Sequence, residues 1–122
     1  MFKDTKAFST FSANDIQAAK EFYGNTLGLD VSDDHGMLRL NIAGGSTVLI
    51  YPKDNHVPAE HTVLNFPVDD IEAAVREAAG RGITFERYSD AHDDLGILRD
   101  PQGPAIAWFK DPAGNTLAII QE

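Results

Sequence analysis

Four histidines, 19 Asp and Glu residues and no cysteine define the chemistry open to this chain. Without a thiolate, disulfides, cysteine nucleophiles and cysteine-held metals are excluded. His61 is the most interesting single residue. In an extended segment it shares a face with Val63 and Asn65, because strand side chains alternate with period two. An imidazole there can serve as a metal ligand or a general base; the plainer reading makes it a rim residue beside a polar linker. His35, His56 and His92 lie in stretches rich in Asp, Asn, Gly and Pro and form neither an HxH nor an HExxH pattern, so they read as surface loop residues. The acid pairs Asp33-Asp34, Asp69-Asp70 and Asp93-Asp94 read as turns and helix caps, not as acid–base pairs. Ser9, Ser12 and Ser46 have no visible base beside them and no nucleophile elbow, which argues against a serine hydrolase.

The elements that would position these groups follow from size and pattern. A chain of 122 residues has room for one domain, or two half-size modules sharing a core. Its 43% apolar and 24% charged content is ordinary for a soluble globular protein. No apolar run approaches the roughly 18–20 residues that span a bilayer, so no membrane partner is expected. The start, MFKDTKAFST, lacks the apolar core of a signal peptide; with the missing cysteines this leads us to expect a cytoplasmic protein. The net charge of −9, with ten scattered basic residues, argues against nucleic acid as a partner. Solubility is the bland explanation of the acidity; a cleft that attracts cationic ligands is the sharper one.

The stretch Phe66 to Gly82 reads as a strand end, a helix start, an amphipathic helix and a glycine stop. It has an echo: Asn14-Asp15-Ile16-Gln17-Ala18-Ala19 matches Asp69-Asp70-Ile71-Glu72-Ala73-Ala74, 55 residues further on. The chain therefore reads as one unit built twice. In the first copy we expect a strand over Lys6 to Ser12, a helix capped by Asn14 with Gln17 as capping-box partner, and strands over Leu29 to Ser32, Met37 to Ile42 and Thr47 to Tyr51. Gly44-Gly45 suits a tight hairpin requiring positive φ. Pro52 to Glu60 is the linker, giving module one at 1–57 and module two at 58–122. The second copy predicts a strand over His61 to Phe66, a helix capped by Asp69 with Glu72, strands over Ile83 to Tyr88 and Leu95 to Arg99, and a closing hairpin of Ala105 to Phe109 and Thr116 to Gln121. Asp111-Pro112-Ala113-Gly114-Asn115 is its turn. Each helix buries one face only, so each sheet keeps a second face free for a ligand.

The order βαβββ twice, the FYxxxLG pattern at Phe22 to Gly28 and the DPxGN turn at Asp111 to Asn115 together resemble the vicinal oxygen chelate superfamily. This is the glyoxalase, bleomycin-resistance and extradiol-dioxygenase group. The resemblance covers nearly the whole chain. It implies an α+β fold in which tandem βαβββ modules form a U-shaped open barrel around a central cleft, helices outside, and frequent homodimers, sometimes with modules exchanged. It also implies a divalent metal in the enzymes, held by His, Glu or Gln from four strands. Carried over one at a time, those positions fall at Phe8, Leu49, Val63 and Ala118. None can ligate a metal, so no metal site and no cofactor is expected. The expectation is a metal-free protein that binds a small organic ligand, as the bleomycin-resistance branch does. Its cleft would be lined by Phe8, Thr10, Leu49, Tyr51, His61, Asn65 and Trp108, with Trp108 on the cleft side if Phe109 faces the helix. The alternative is an enzyme of the superfamily (lyase, isomerase or dioxygenase) with metal ligands displaced to the surroundings of His61, or with His61 or Tyr51 in acid–base catalysis. A structural module with a filled, dry cleft is the third reading.

Overall fold

The computed structural model describes all 122 residues, which fall into two compact units, Met1–Val57 and Pro58–Glu122. The first unit runs β1 (Ser9–Ala13), α1 (Ile16–Lys20) continuing as a π-helical segment (Glu21–Thr26), β2 (Asp30–Asp34), β3 (Met37–Asn41) and β4 (Thr47–Pro52). Its sheet order is β1-β4-β3-β2, with β1 parallel to β4 and the other pairs antiparallel. The second unit runs β5 (Thr62–Pro67), α2 (Ile71–Gly80), β6 (Phe85–Glu86), β7 (Leu98–Arg99), β8 (Ala105–Lys110) and β9 (Thr116–Gln121). Its order is β5-β9-β8-β6, with β5 parallel to β9 and β7 also on β8. In each unit the opening strand pairs in parallel with the closing strand. That shared wiring is the architecture the sequence repeat encodes, and the class is α+β.

The repeat is visible at atomic detail in the caps, one residue later than the sequence reading placed them. Asp15, not Asn14, caps α1, accepting from the Ala18 amide at 3.0 Å, and Asp70, not Asp69, caps α2, accepting from the Ala73 amide at 3.2 Å. Both caps have the same extended backbone, φ −137° and −134°. A carboxylate satisfies an orphan amide and also complements the positive end of the helix. The third helical position is then an alanine in both copies, so no capping box forms. Glu72 pairs instead with Arg99, at 2.7 Å.

Register shows which sheet face each helix covers. In the first unit the row Phe11–Ile50–Leu38 lies on the helix side, because the Phe11 ring meets Tyr23, 6.3 Å between centroids. Tyr23, Leu38, Leu40 and Ile50 are fully buried there. In the second unit Gln121 reaches α2, its Oε1 accepting from the Ile71 amide at 2.9 Å. Leu117, Ile119, Ala107 and Phe109 share its face and are buried. The π-helical turn is packed close: a Cβ on Gly24 would stand 3.1 Å from a Val31 methyl. No helix is long and apolar enough to cross a membrane.

Two edges depart from expectation. The first strand begins at Ser9, leaving residues 6–8 outside the ladder. The strand expected over Ile83 to Tyr88 shortens to Phe85–Glu86. Phe85 and Glu86 pair with Phe109 and Trp108, and Leu98 and Arg99 pair with Ile106 and Ala105. β6 and β7 are thus two pieces of one edge strand, separated by residues 87–97.

The β8–β9 turn is held by a buried carboxylate. Asp111 Oδ1 accepts from the Ala113 and Asn115 amides, and Oδ2 accepts from Asn115 Nδ2, all at 2.9 Å. Asp111 and Asn115 are 5% and 1% exposed, so losing the acceptor strands buried donors. Asp111→Ala should destabilise the protein by about 3 kcal/mol, read from the urea midpoint. A loss below about 1 kcal/mol would show the turn to be held otherwise.

Candidate functional site

Each sheet has a face turned away from its own helix, and the chemistry-bearing residues of each unit gather there. In the first unit one row across this face is Thr10–Leu49–Arg39–Ser32, and the next pairs Ser12 with Tyr51. Leu49 is 8% exposed and Tyr51 36%. Phe8, just before β1, is largely exposed and lines a cavity with Lys6, Arg39 and the Gly44-Gly45 turn. Both turn glycines have positive φ, 89° and 84°, as the hairpin expectation required. Arg39 is ion-paired with Asp34, which also meets His35 Nδ1. The His35 hydrogen bond first, and Arg39 second, hold the Asp34 carboxyl below the ordinary range.

The structure supplies the base the serines lacked in sequence. Ser12 Oγ lies 2.6 Å from His56 Nδ1 across 44 residues. His56 is half-buried, not a surface loop residue, and its Nε2 is buried with no partner in the protein. Linear spacing gave no signal of this, since it depends on the chain turning just past β4, where the His56 amide donates to Lys53 C=O at 3.0 Å.

In the second unit the corresponding row is Asn65–Ala118–Trp108–Glu86. Phe109 faces the helix and Trp108 the other way. Trp108 Nε1 donates to Thr62 Oγ1 at 3.1 Å. Thr62 reaches this face because of a bulge: Thr62 pairs with Thr116 but Leu64 pairs with Leu117, so Val63 is the extra residue. The alternation that was to place His61, Val63 and Asn65 together is therefore broken. His61 lies just before β5, exposed, while Asn65 holds its place beside Ala118.

Residues 87–97 fold over the indole. Tyr88 and His92 stand 5.5 and 6.0 Å from Trp108, edge to face. His92, expected on the surface, is 9% exposed. Its Nε2 accepts from the Tyr88 amide at 3.2 Å, which leaves Nδ1 as the donor to Gly96 C=O at 2.8 Å. Both nitrogens are committed, so His92 is a neutral strut for the loop. Arg87 adds two bonds to the Asp93 and Asp94 carbonyls. Sequence reasoning missed Tyr88 and Glu86 as site residues. The only available signal was that a strand pairing Phe85 with Phe109 must also pair Glu86 with Trp108.

The resemblance placed metal ligands at Phe8, Leu49, Val63 and Ala118. None carries a donor atom: Ala118 is buried on the helix-free face and Val63 occupies the bulge. No group of three or more His, Asp or Glu side chains is placed to hold a metal ion. The residues present do not fit such a centre.

The family model described as the Glyoxalase/Bleomycin resistance protein/Dioxygenase superfamily matches residues 9–119. The chain belongs to this superfamily. Among solved structures it is similar to a glyoxalase family protein from Enterococcus faecalis, at 22% identity and TM-score 0.71, covering 98% of this chain and 99% of that one. It is also similar to a lactoylglutathione lyase from Agrobacterium tumefaciens, at 23% identity and TM-score 0.64, covering 98% and 96%. A third is TnmS3, an antibiotic binding protein from Streptomyces sp. CB03234, at 21% identity and TM-score 0.69, covering 97% of each. These likenesses concern the fold. No curated protein sequence matches the chain.

Partial desolvation of Tyr88, which is 58% exposed, and secondarily the Glu86 carboxylate, raise its phenol above the ordinary value of 10.0. A group raised in the folded state contributes stability that is complete below its unfolded pKa and lost as pH climbs through the folded one. The urea midpoint should therefore fall as pH rises above about 10, and Tyr88→Phe should remove part of that fall. An unchanged profile in Tyr88→Phe would place the phenol in free solvent.

Proposed function

We propose that this chain is a metal-free small-molecule binding protein whose ligand lies on a helix-free sheet face. The observation that carries the reading is the replacement of every mapped ligand position by an apolar side chain, on faces that keep aromatic rings and hydrogen-bonding groups. Phe8, Thr10, Leu49 and Tyr51 form the binding surface of the first unit. Asn65 and Trp108 form that of the second, extended by Tyr88, with His61 at its rim. Apolar walls with a few placed polar groups suit a mostly apolar organic molecule. The functional domain spans residues 1–122, acts in the cytoplasm and pairs as a homodimer. The family match over residues 9–119 supports a small-molecule site, and the structural likeness to an antibiotic binding protein favours binding without conversion.

A second reading, a converting enzyme, draws on one observation: the Ser12–His56 pair and its unpartnered Nε2. An orphaned buried nitrogen costs about 1–3 kcal/mol, which a ligand contact would relieve. In that reading His56, not His61, is the acid–base group.

Trp108 is the one tryptophan, so its fluorescence reports ligands at the second unit's face. Titration with a panel of aromatic drug-like molecules, 2-oxoaldehyde–thiol adducts and catechols should give saturable quenching for at least one. Trp108→Phe should remove the signal, and no turnover should exceed buffer. Lack of saturable binding across the panel would overturn the binding reading. Turnover abolished by His56→Ala and kept in His61→Ala would establish the enzyme instead. Stoichiometric Zn, Ni, Mn or Fe in protein purified without chelators would overturn the metal-free assignment.

A further inference from the structure

In a chain of net charge −9, one cavity is lined by two cations and no carboxylate. The first unit's helix-free face ends in a cavity of about 640 Å³ that Lys6, Phe8, Arg39, Ser46 and the Gly44-Gly45 turn line, with no carboxylate among its lining residues. Three other basic groups are neutralised by direct acidic partners: Lys20 by Asp33, Arg81 by Glu77, Arg99 by Glu72. Lys6 has no such partner. Arg39 spends only Nη2 on Asp34, and Asp34 is shared with His35. The Nη1 and Nε donors of Arg39 therefore remain for something else, and a guanidinium fork matches two oxygens of one oxyanion.

The turn adds donors of a second kind. Its hydrogen bond runs from the Ile42 amide to Ser46 C=O and uses neither glycine amide. Gly44 and Gly45 both hold positive φ, and a Cβ built on either would meet nothing within 4 Å. The space beside both Cα atoms is thus open. Neither glycine amide is spent in a backbone hydrogen bond, and unspent amides of a turn can receive negative charge. Phe8, 59% exposed, supplies an apolar wall beside these donors.

We propose that this cavity is the oxyanion subsite of the binding face. It takes the carboxylate, phosphate or phosphonate end of an organic ligand whose apolar body lies along Phe8 toward Leu49. The inference rests on the small-molecule binding reading and specifies its ligand class: the ligand is an anion, opposite to what the overall acidity of the chain would select.

Three probes with one ring and different ends test it: phenylphosphonate, phenylacetate and the neutral phenylacetamide. Binding is followed by the ¹H–¹⁵N shifts of Gly44, Gly45 and Ser46. An anion should bind about ten-fold tighter than the amide at low salt, and the advantage should shrink as salt rises. Lys6→Met and Arg39→Met should each remove about ten-fold of anion affinity and leave the amide unchanged. Arg39→Met also frees Asp34; Lys6→Met lies outside every strand and keeps the test independent of folding. A preference for phenylphosphonate or for phenylacetate identifies the phosphorus or the carboxylate source. Equal binding of anion and amide, or anion affinity unmoved in Lys6→Met and Arg39→Met, overturns the subsite while the small-molecule reading stands. If none of the three probes shifts these amides the subsite also falls, and the Trp108 panel alone then decides the broader reading.

Discussion

One short helix covers one face of a four-stranded sheet, and that asymmetry governs both halves of the molecule. Parallel pairing of the first strand with the last forces the chain to cross over the sheet between β1 and the rest, and the helix is that crossover. Its apolar stripe is matched on one side only: Leu38, Leu40 and Ile50 in the first unit, Phe109, Leu117 and Ile119 in the second. Everything of chemical interest lies on the other side, because side chains that alternate along a strand cannot serve both faces. Conservation of fold and freedom of chemistry are thereby separated residue by residue. Solved structures of similar fold include a lactoylglutathione lyase and an antibiotic binding protein, so one framework carries different chemistry.

Much of this was legible in the sequence, for reasons tied to particular residues. The repeat of Asp15-Ile16 in Asp70-Ile71 exposed the duplication, and the glycine pair at 44 and 45 and the DPxGN turn exposed the two hairpins. Alternation placed Thr10, Leu49 and Tyr51 on one side of β4 and its neighbour. What was not legible came from interactions without a periodic signature. Cap position depends on where the chain leaves the extended region, and Asn14 and Asp15 are equally able caps by type. A bulge adds one residue and reverses every later inference from parity, which is how His61 lost its expected neighbours. Ser12 and His56 meet only because the chain turns just past β4, and His92 is buried only because Tyr88 and Gly96 bind its two nitrogens.

Phe8, Leu49, Val63 and Ala118, where the resemblance puts metal ligands, carry no donor atom. The helix-free faces are left with hydrogen-bonding groups that owe nothing to a metal: Thr62 with Trp108, Ser12 with His56, and the cations beside Gly44 and Gly45. The two faces also differ in character. The first is polar and partly cationic. The second is built around an indole braced by a loop whose histidine is locked by backbone on both sides.

The split border of the second sheet has a consequence for how copies of the chain can meet. A long, flat outer strand is a template on which another molecule can add its own backbone. Here that rim is two fragments, Phe85–Glu86 and Leu98–Arg99, with residues 87–97 rising between them. The outer strand of the first sheet, Asp30–Asp34, carries three aspartates in five residues, and charged side chains along an edge disfavour strand addition. Both rims are poor templates for strand addition. At these two rims, contact between copies would have to use side-chain surfaces instead of shared hydrogen-bond ladders.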